Sequence, residues 1–221
     1  MSSIDARIYE YMKSQLDEKS LVVDIGAYTG KISNSMLSSI NGNPEKFHLI
    51  EPCPSNYGIL TDRCKGCNNH NLAISDEDGS IDFFVANHKK IEGSSQSNSL
   101  FKKFIHNRDW ATSEETIKVK TLTLDSFIKE NSIDCIDFLK INCEGGEFKI
   151  FNSSLDFLSN TKYIYLHLHG KNPLFLTPDM TSKKKEINAH LLSNGYSLVM
   201  GDKTADIPKI KKHIHQLWEK K

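Results

Sequence analysis

No stretch of the 221-residue sequence is apolar over the roughly 20 residues that a bilayer-spanning helix needs. Neither sign of charge is in excess: Lys and Arg total 28, and so do Asp and Glu. A globally basic nucleic-acid-binding surface is therefore not expected. Met1 to Lys19 is polar and partly helical, without the apolar core of a signal peptide. It reads as a helical extension ahead of one domain over residues 20–221, and the expected location is cytoplasmic. The five cysteines, at 53, 64, 67, 135 and 143, are odd in number and do not form a disulfide framework. Cys64-Lys65-Gly66-Cys67 and His70 offer half of a zinc site, but the second ligand pair is missing. A reduced surface loop is the expected outcome, with no obligatory metal. Internal repeats, low-complexity tracts and linkers are lacking too, so the length fits one α/β domain with a sizeable core.

What the sequence does contain is a ligand cradle. Leu21 to Ile25 is a short apolar run rich in β-branched residues that stops at glycines, as a strand buried on both faces does. From Lys31 to Ile40 the apolar residues Ile32, Met36, Leu37 and Ile40 recur at helical spacing, and Asn41-Gly42-Asn43-Pro44 ends the helix. A second strand, Phe47 to Ile50, runs into Glu51 and Pro52. Strand, glycine loop, helix and strand make one right-handed crossover, with a ligand expected beyond the carboxyl ends of the strands. Gly26 and Gly30 let backbone approach that ligand, and Glu51 stands where a carboxylate can accept both hydroxyls of a ribose.

The loop reads D-x-G-x-x-x-G, whereas the dinucleotide fingerprint is G-x-G-x-x-G. A pyrophosphate wants a glycine-lined anion site at the helix start. S-adenosylmethionine (SAM) has no phosphate and carries an ammonium that Asp24 can hold, directly or through water. A bare tight turn with a solvated Glu51 is the alternative reading of the same residues. A dinucleotide-dependent oxidoreductase is disfavoured by the missing first glycine.

Further along, a helix is expected over Ser55 to Leu60 and a strand over His70 to Ser75. Asp76-Glu77-Asp78-Gly79 signals a hairpin from that strand into Ile81 to Val85. Residues 86–99 read as a polar loop near the ligand end of the sheet, expected to order over the acceptor, with Ser97 and Ser99 as contacts. Phe101, Phe104 and Trp110 offer either an acceptor platform or anchors for that lid. An alternating segment at Ile117 to Leu122 precedes a short helix at Thr123 to Ile128. A strand at Ile136 to Ile141 leads to a helix over Glu147 to Leu158 and a strand over Tyr163 to Leu168. A helix at 181–193 and strands at Tyr196 to Met200 and His213 to Trp218 complete the pattern. The fold class expected is a three-layer Rossmann-like α/β fold with a mostly parallel seven-stranded sheet and an antiparallel C-terminal hairpin. Lys183-Lys184-Lys185 and Lys209, Lys211 and Lys212 read as solvated faces.

Four segments in register carry a family resemblance. They are Asp24-Ile25-Gly26-Ala27-x-x-Gly30; Ile50-Glu51-Pro52-x-Pro54-x-Asn56-Tyr57; Asn71-Leu72-Ala73-Ile74-Ser75-Asp76-x-x-Gly79; and Thr123 to Phe127 leading to Asp137-Phe138-Leu139-Lys140-Ile141-Asn142-Cys143-Glu144-Gly145. Over roughly residues 20 to 170 the chain resembles the FkbM-like family of class I SAM-dependent methyltransferases. The resemblance implies a SAM cofactor whose methionine part meets Asp24, Gly26, Ala27, Tyr28 and Gly30. It places the ribose at Glu51 and Pro52, and the adenine at the Asn71 to Ile74 segment with Ala73. Read from the residues alone, that last segment is an ordinary strand end and turn.

Two departures from the family concern chemistry. Asn142 stands where relatives carry Asp, and an amide accepts a hydrogen bond but cannot act as a base. The strand Tyr163 to Leu168 commonly ends on an acid in relatives, and here it offers His167 and His169, which share a face if the strand continues. Methyl transfer from a sulfonium is an in-line displacement, so alignment dominates, and an alcohol acceptor also needs a group to take its proton. His167 is the candidate base. Lys140 and Glu144 are expected either to pair and orient the loop or to act directly, and Glu144 with Glu147 leaves a magnesium-assisted variant open. The leading expectation is an O-methyltransferase acting on a small molecule or glycan. A SAM-binding module that has lost its catalytic carboxylate is the alternative.

Overall fold

The computed structural model describes residues 3–85, 116–153, 155–169, 180–201 and 213–221. The expected lid at 86–99, with Ser97 and Ser99, lies outside these residues, as do Phe101, Phe104, Trp110, Lys209, Lys211 and Lys212.

Strand β1 (Val22–Ile25) is buried along its whole length, because it lies between two parallel neighbours, β2 (Phe47–Ile50) and β7 (Ile136–Ile141). That environment is why its sequence is apolar without alternation. Helix α2 (Lys31–Ser39) connects β1 to β2, and α3 (Pro54–Arg63), opened by Pro54, connects β2 to the short β3 (Asn68–His70). On the other side β7 pairs in parallel with β8 (Thr161–His169). The chain thus winds outward from β1 in one direction to β2 and β3 and in the other to β7 and β8, which leaves a crevice at the carboxyl ends of β1 and β7. The C-terminal hairpin of β9 (Tyr196–Gly201) and β10 (His213–Lys220) completes the seven-stranded sheet, with β10 antiparallel to both β8 and β9. Its order is β3-β2-β1-β7-β8-β10-β9, and it is the mostly parallel seven-stranded sheet with an antiparallel C-terminal hairpin that the sequence pattern predicts.

The pleat divides the sheet's side chains between two cores. Val23, Leu139 and Ile164 face the layer that holds α4 (Leu124–Glu130) and α6 (Met180–Ser193). Val22, Phe138 and Tyr163 face the other layer, where Ile8 and Met12 of α1 (Ser3–Gln15), with Leu16 just after it, pack beside Met36 of α2 and Leu60 of α3. The N-terminal helix is therefore part of the core on that face.

Three expected elements differ. The segment His70 to Ser75 is not one strand: β3 ends at His70, and β4 (Ala73–Ile74) belongs to a separate three-stranded sheet. Nor do Ile74 and Ile81 flank a hairpin. β6 (Thr116–Leu122) lies between β4 and β5 (Gly79–Phe84), parallel to the first and antiparallel to the second. The turn signal at Asp76 to Gly79 was local, whereas the partner strand arrives from 116 onward. The helix expected over Glu147 to Leu158 is a single turn, α5 (Glu147–Ile150), followed by a 3-10 turn at Asp156–Asn160. There Ser153 bonds back to the Ile150 carbonyl and the Asp125 carboxylate takes the Phe157 N–H, supplying side-chain partners in place of helical ones.

Candidate active site

A cavity of about 740 Å³ opens where β1, β2, β7 and β8 end, bordered by the Gly26 loop, α1 and the β4–β5 segment. The glycines of that loop have distinct tasks. Gly26 adopts φ +80°, and a Cβ there would sit 2.0 Å from the Asn142 carbonyl oxygen. Gly30, at φ +72°, would drive a Cβ to 2.6 Å from Cys64 Sγ and Leu60 Cδ1. Gly26, Ala27 and Tyr28 border the cavity, while Gly30 is a packing glycine behind it that lets α2 start against α3.

A polar row crosses the sheet beneath the cavity. In register, Asp24 on β1 is level with Lys140 on β7, which is level with Tyr165 on β8. Lys140 Nζ donates to Asp24 Oδ1 at 2.5 Å and to the Gly26 carbonyl at 3.1 Å, and Ser33 Oγ donates to Asp24 Oδ2. Asp24 is 2% and Lys140 4% exposed, so each charge depends on the other. Of the two alternatives for Lys140 and Glu144, their mutual pair does not form: Lys140 is a strand residue facing Asp24, whereas Glu144 lies past the strand end and meets His169.

Glu51, at the end of β2, is held by three donors. Oε2 accepts from the Tyr28 N–H at 3.0 Å, and Oε1 from the Cys53 N–H at 3.1 Å and Asn56 Nδ2 at 3.2 Å. Burial pushes its carboxyl above the ordinary carboxylate range, and these bonds with the charge of Lys140 oppose that rise. Asn71 lies behind the wall, where its Nδ2 donates to the carbonyls of Glu51 at 2.9 Å and Pro52 at 3.0 Å and so fixes the loop. Pro52, Ala73, Ile74 and Phe83 form the apolar side of the cavity.

At the opposite side, Tyr165, His167 and His169 project from one face of β8. The ring of His167 lies 4.4 Å from that of His169 and 4.2 Å from that of His215, its cross-strand partner on β10. His169 sits between two acids: Nδ1 is 2.8 Å from Glu147 Oε1, and Nε2 is 3.2 Å from Glu144 Oε1. Burial opposes a charge on this ring, but Glu147 and Glu144 outweigh it, and its pKa is raised to about 10. Glu147, wholly buried, also accepts the N–H groups of Cys143 and Gly145, each at 2.9 Å. Glu144 and Glu147 thus converge on an imidazolium. Burial, then Glu147, pushes the Cys143 thiol well up, so it stays protonated. Asn142 borders the cavity with its Oδ1 buried and without a hydrogen-bond partner among the described residues.

Several cavity residues were not anticipated. Asp5, Tyr9 and Lys13, spaced by four on α1, turn one face of that helix toward the cavity. The Asp5 carboxylate accepts from the Tyr165 hydroxyl and contacts His215 Nδ1 at 2.7 Å. Burial, Asp24 and Asp5 together hold the Tyr9 hydroxyl well above its usual pKa, which keeps it a neutral donor. The signal was present as helical spacing at 5, 9 and 13, but the destination of that face depends on long-range packing. The half zinc site resolves otherwise: the Cys64 thiol donates to the Gly30 carbonyl at 3.5 Å, and His70 lies against His48, Nε2 to Nδ1 at 3.2 Å. No group of three or more metal-ligating side chains occurs among the described residues, and none of their helices is long and apolar enough to cross a membrane.

Sheet order and crevice define a class I, Rossmann-like methyltransferase fold. Solved structures share it. An FkbM methyltransferase from Methylobacillus flagellatus KT superposes with a TM-score of 0.55 at 12% identity, over 92% of this chain and 44% of that one. An rRNA methylase from Streptococcus thermophilus gives 0.54 at 9%, over 100% and 98%. SMU.1697c of Streptococcus mutans, solved in complex with S-adenosylhomocysteine (SAH), gives 0.55 at 7%, over 100% and 99%. No curated protein matches the chain. The model of the FkbM methyltransferase domain matches residues 24–198, and the chain belongs to that family of SAM-dependent methyltransferases. It spans less than half the length of the Methylobacillus relative.

Proposed function

We propose that this protein transfers the methyl group of SAM to a hydroxyl of a small molecule or sugar, with His167 taking the acceptor's proton. The observation that carries this reading is that His167 borders the same cavity as Asp24 and Glu51. The residues fit the cofactor in kind: the loop of Gly26, Ala27 and Tyr28 along the cavity, a buried carboxylate at the end of β2, and an apolar side at Pro52, Ala73 and Phe83.

In this reading Gly26, Ala27 and Tyr28 border the methionine part, Glu51 and Pro52 the ribose, and Ala73 the adenine. Gly30 and Asn71 serve from behind by shaping the loop and fixing Glu51. Asp24 acts through Lys140: the pair is electrically balanced and pins the Gly26 carbonyl, so the loop is set before any ligand arrives. The bound cofactor supplies an electrophilic methyl group. His167 can take a proton from an acceptor hydroxyl on the face it presents to the cavity. The adjacent His169 carries charge because Glu144 and Glu147 hold it, which fixes its ring beside that of His167. Asn142 can orient a hydroxyl but not deprotonate it.

Calorimetric titration of the purified protein with SAM and SAH tests the cofactor, and transfer of labelled methyl to a panel of hydroxylated acceptors tests the chemistry. Binding with turnover that His167→Ala removes supports the reading. Binding without turnover on any hydroxylated acceptor would favour the alternative, a SAM-binding module lacking the family's carboxylate at position 142.

A further inference from the structure

Two carboxylates at the cavity wall already have partners. Asp24 gives one oxygen to Lys140 and the other to Ser33, and Asp5 accepts from the Tyr165 hydroxyl and contacts His215 Nδ1 at 2.7 Å. The direct contact between Asp24 and the cofactor's ammonium, expected from the sequence, therefore competes with two donors already in place. Tyr9 differs. It stands one helical turn after Asp5 on the face of α1 that borders the cavity, and its ring lies 5.6 Å from that of Tyr165, edge to face. Tyr165 is level with Lys140 and Lys140 with Asp24, so Tyr9 adjoins the polar row beneath the cavity. The residue is only 6% exposed, and its hydroxyl makes no hydrogen bond to a described residue. That hydroxyl is nevertheless not among the polar atoms sealed from solvent. A hydroxyl at a cavity wall with its bonding capacity unspent is accounted for by a ligand.

The charge of that ligand follows from the surroundings. Asp24 and Asp5 both lie near enough to raise the pKa of the Tyr9 hydroxyl, and Lys140 offsets only part of their field. An anion placed there would face two carboxylates, whereas a cation is drawn toward them and finds the lone pairs of the phenol oxygen. We propose that the Tyr9 hydroxyl receives the positive charge at the amino-acid end of the cofactor, carried by its α-ammonium or its sulfonium. This rests on the SAM reading above, which places the methionine part at the Gly26 loop where Asp24's strand ends. Position 9 precedes the span matched by the family, so the contact comes from the N-terminal helix of this chain.

The test uses Tyr9→Phe, which keeps the ring in the core beside Ile8 and Met12 and removes only a hydroxyl that bonds to no described residue. Its thermal unfolding should match that of the wild type. Three probes are titrated into both proteins by calorimetry: SAM, with sulfonium and ammonium; SAH, with the ammonium alone; and deaminated SAH, with neither. Tyr9→Phe should bind SAM about tenfold more weakly than the wild type and deaminated SAH equally well. An equal loss for SAH assigns the contact to the ammonium, and SAH binding at wild-type strength assigns it to the sulfonium. The proposal is overturned if Tyr9→Phe binds SAM as the wild type does, or if it loses deaminated SAH as severely as SAM. If folded wild-type protein binds none of the three, it is the SAM reading that fails.

Discussion

Lys140 and Asp24, on adjacent strands and 116 residues apart in sequence, form a buried ion pair with Nζ 2.5 Å from Oδ1. The pair joins stability to function, since the same ammonium holds the carbonyl of Gly26 in the ligand loop.

Removing one partner strands the other. Lys140→Ala is expected to cost about 3–5 kcal/mol of stability, the range for an uncompensated buried charge. The double change Lys140→Met with Asp24→Leu should recover most of that loss. Urea unfolding of the two variants checks this; equal losses in the single and the double variant would show that the pair is not coupled.

Glu51→Ala should weaken SAH binding by about 1–3 kcal/mol while the protein remains folded, since the released donors at Tyr28, Cys53 and Asn56 lie at the cavity edge. Titration of a variant with native circular dichroism reads both quantities. Unchanged affinity would move the ribose elsewhere.

Two histidine clusters set opposite limits on pH stability. His70 is lowered to about 4, by burial and by His48, so its folded pKa lies below the unfolded value near 6.5. The unfolded chain takes up that proton first, and the neutral pair's contribution, present above pH 6.5, is lost as pH falls toward 4. His169 is raised to about 10, so its contribution is complete below pH 6.5 and is lost as pH rises from there toward 10. Thermal unfolding followed across pH should show greatest stability near neutrality. His169→Gln should flatten the alkaline limb and His70→Gln the acid limb; an unaltered profile in either variant would contradict its assignment.

His167→Ala should leave SAH affinity nearly unchanged and lower turnover strongly once an acceptor is in hand, with the wild-type rate falling as acid protonates the base. A variant as fast as wild type across that range would make His167 structural and direct attention to Glu144.

The strands around the crevice were readable because their burial is local in cause: Leu21 to Ile25, Phe47 to Ile50 and Ile136 to Ile141 are apolar runs ending on Gly26, Glu51 and Asn142, and the structure places those ends together. The β4-β6-β5 sheet was not readable, because Ala73 and Ile74 pair with residues more than 40 positions later and a turn signal at Asp78-Gly79 cannot name the partner. Lys140 illustrates the same limit within the site: its motif was evident, but its choice of Asp24 over the nearer Glu144 follows from strand register. Asp5 and His215 lie outside the family's matched span, and packing of α1 against β8 and β10 brings Asp5 to the cavity and His215 into contact with it.

The most direct test of the central claim, that this cavity holds SAM, is calorimetric titration of the wild-type protein and Glu51→Ala with SAH. Saturable one-to-one binding by wild type, weakened at least several-fold in Glu51→Ala, is the expected result. A folded wild-type protein that binds neither SAH nor SAM, or one that binds NADH instead, would contradict it.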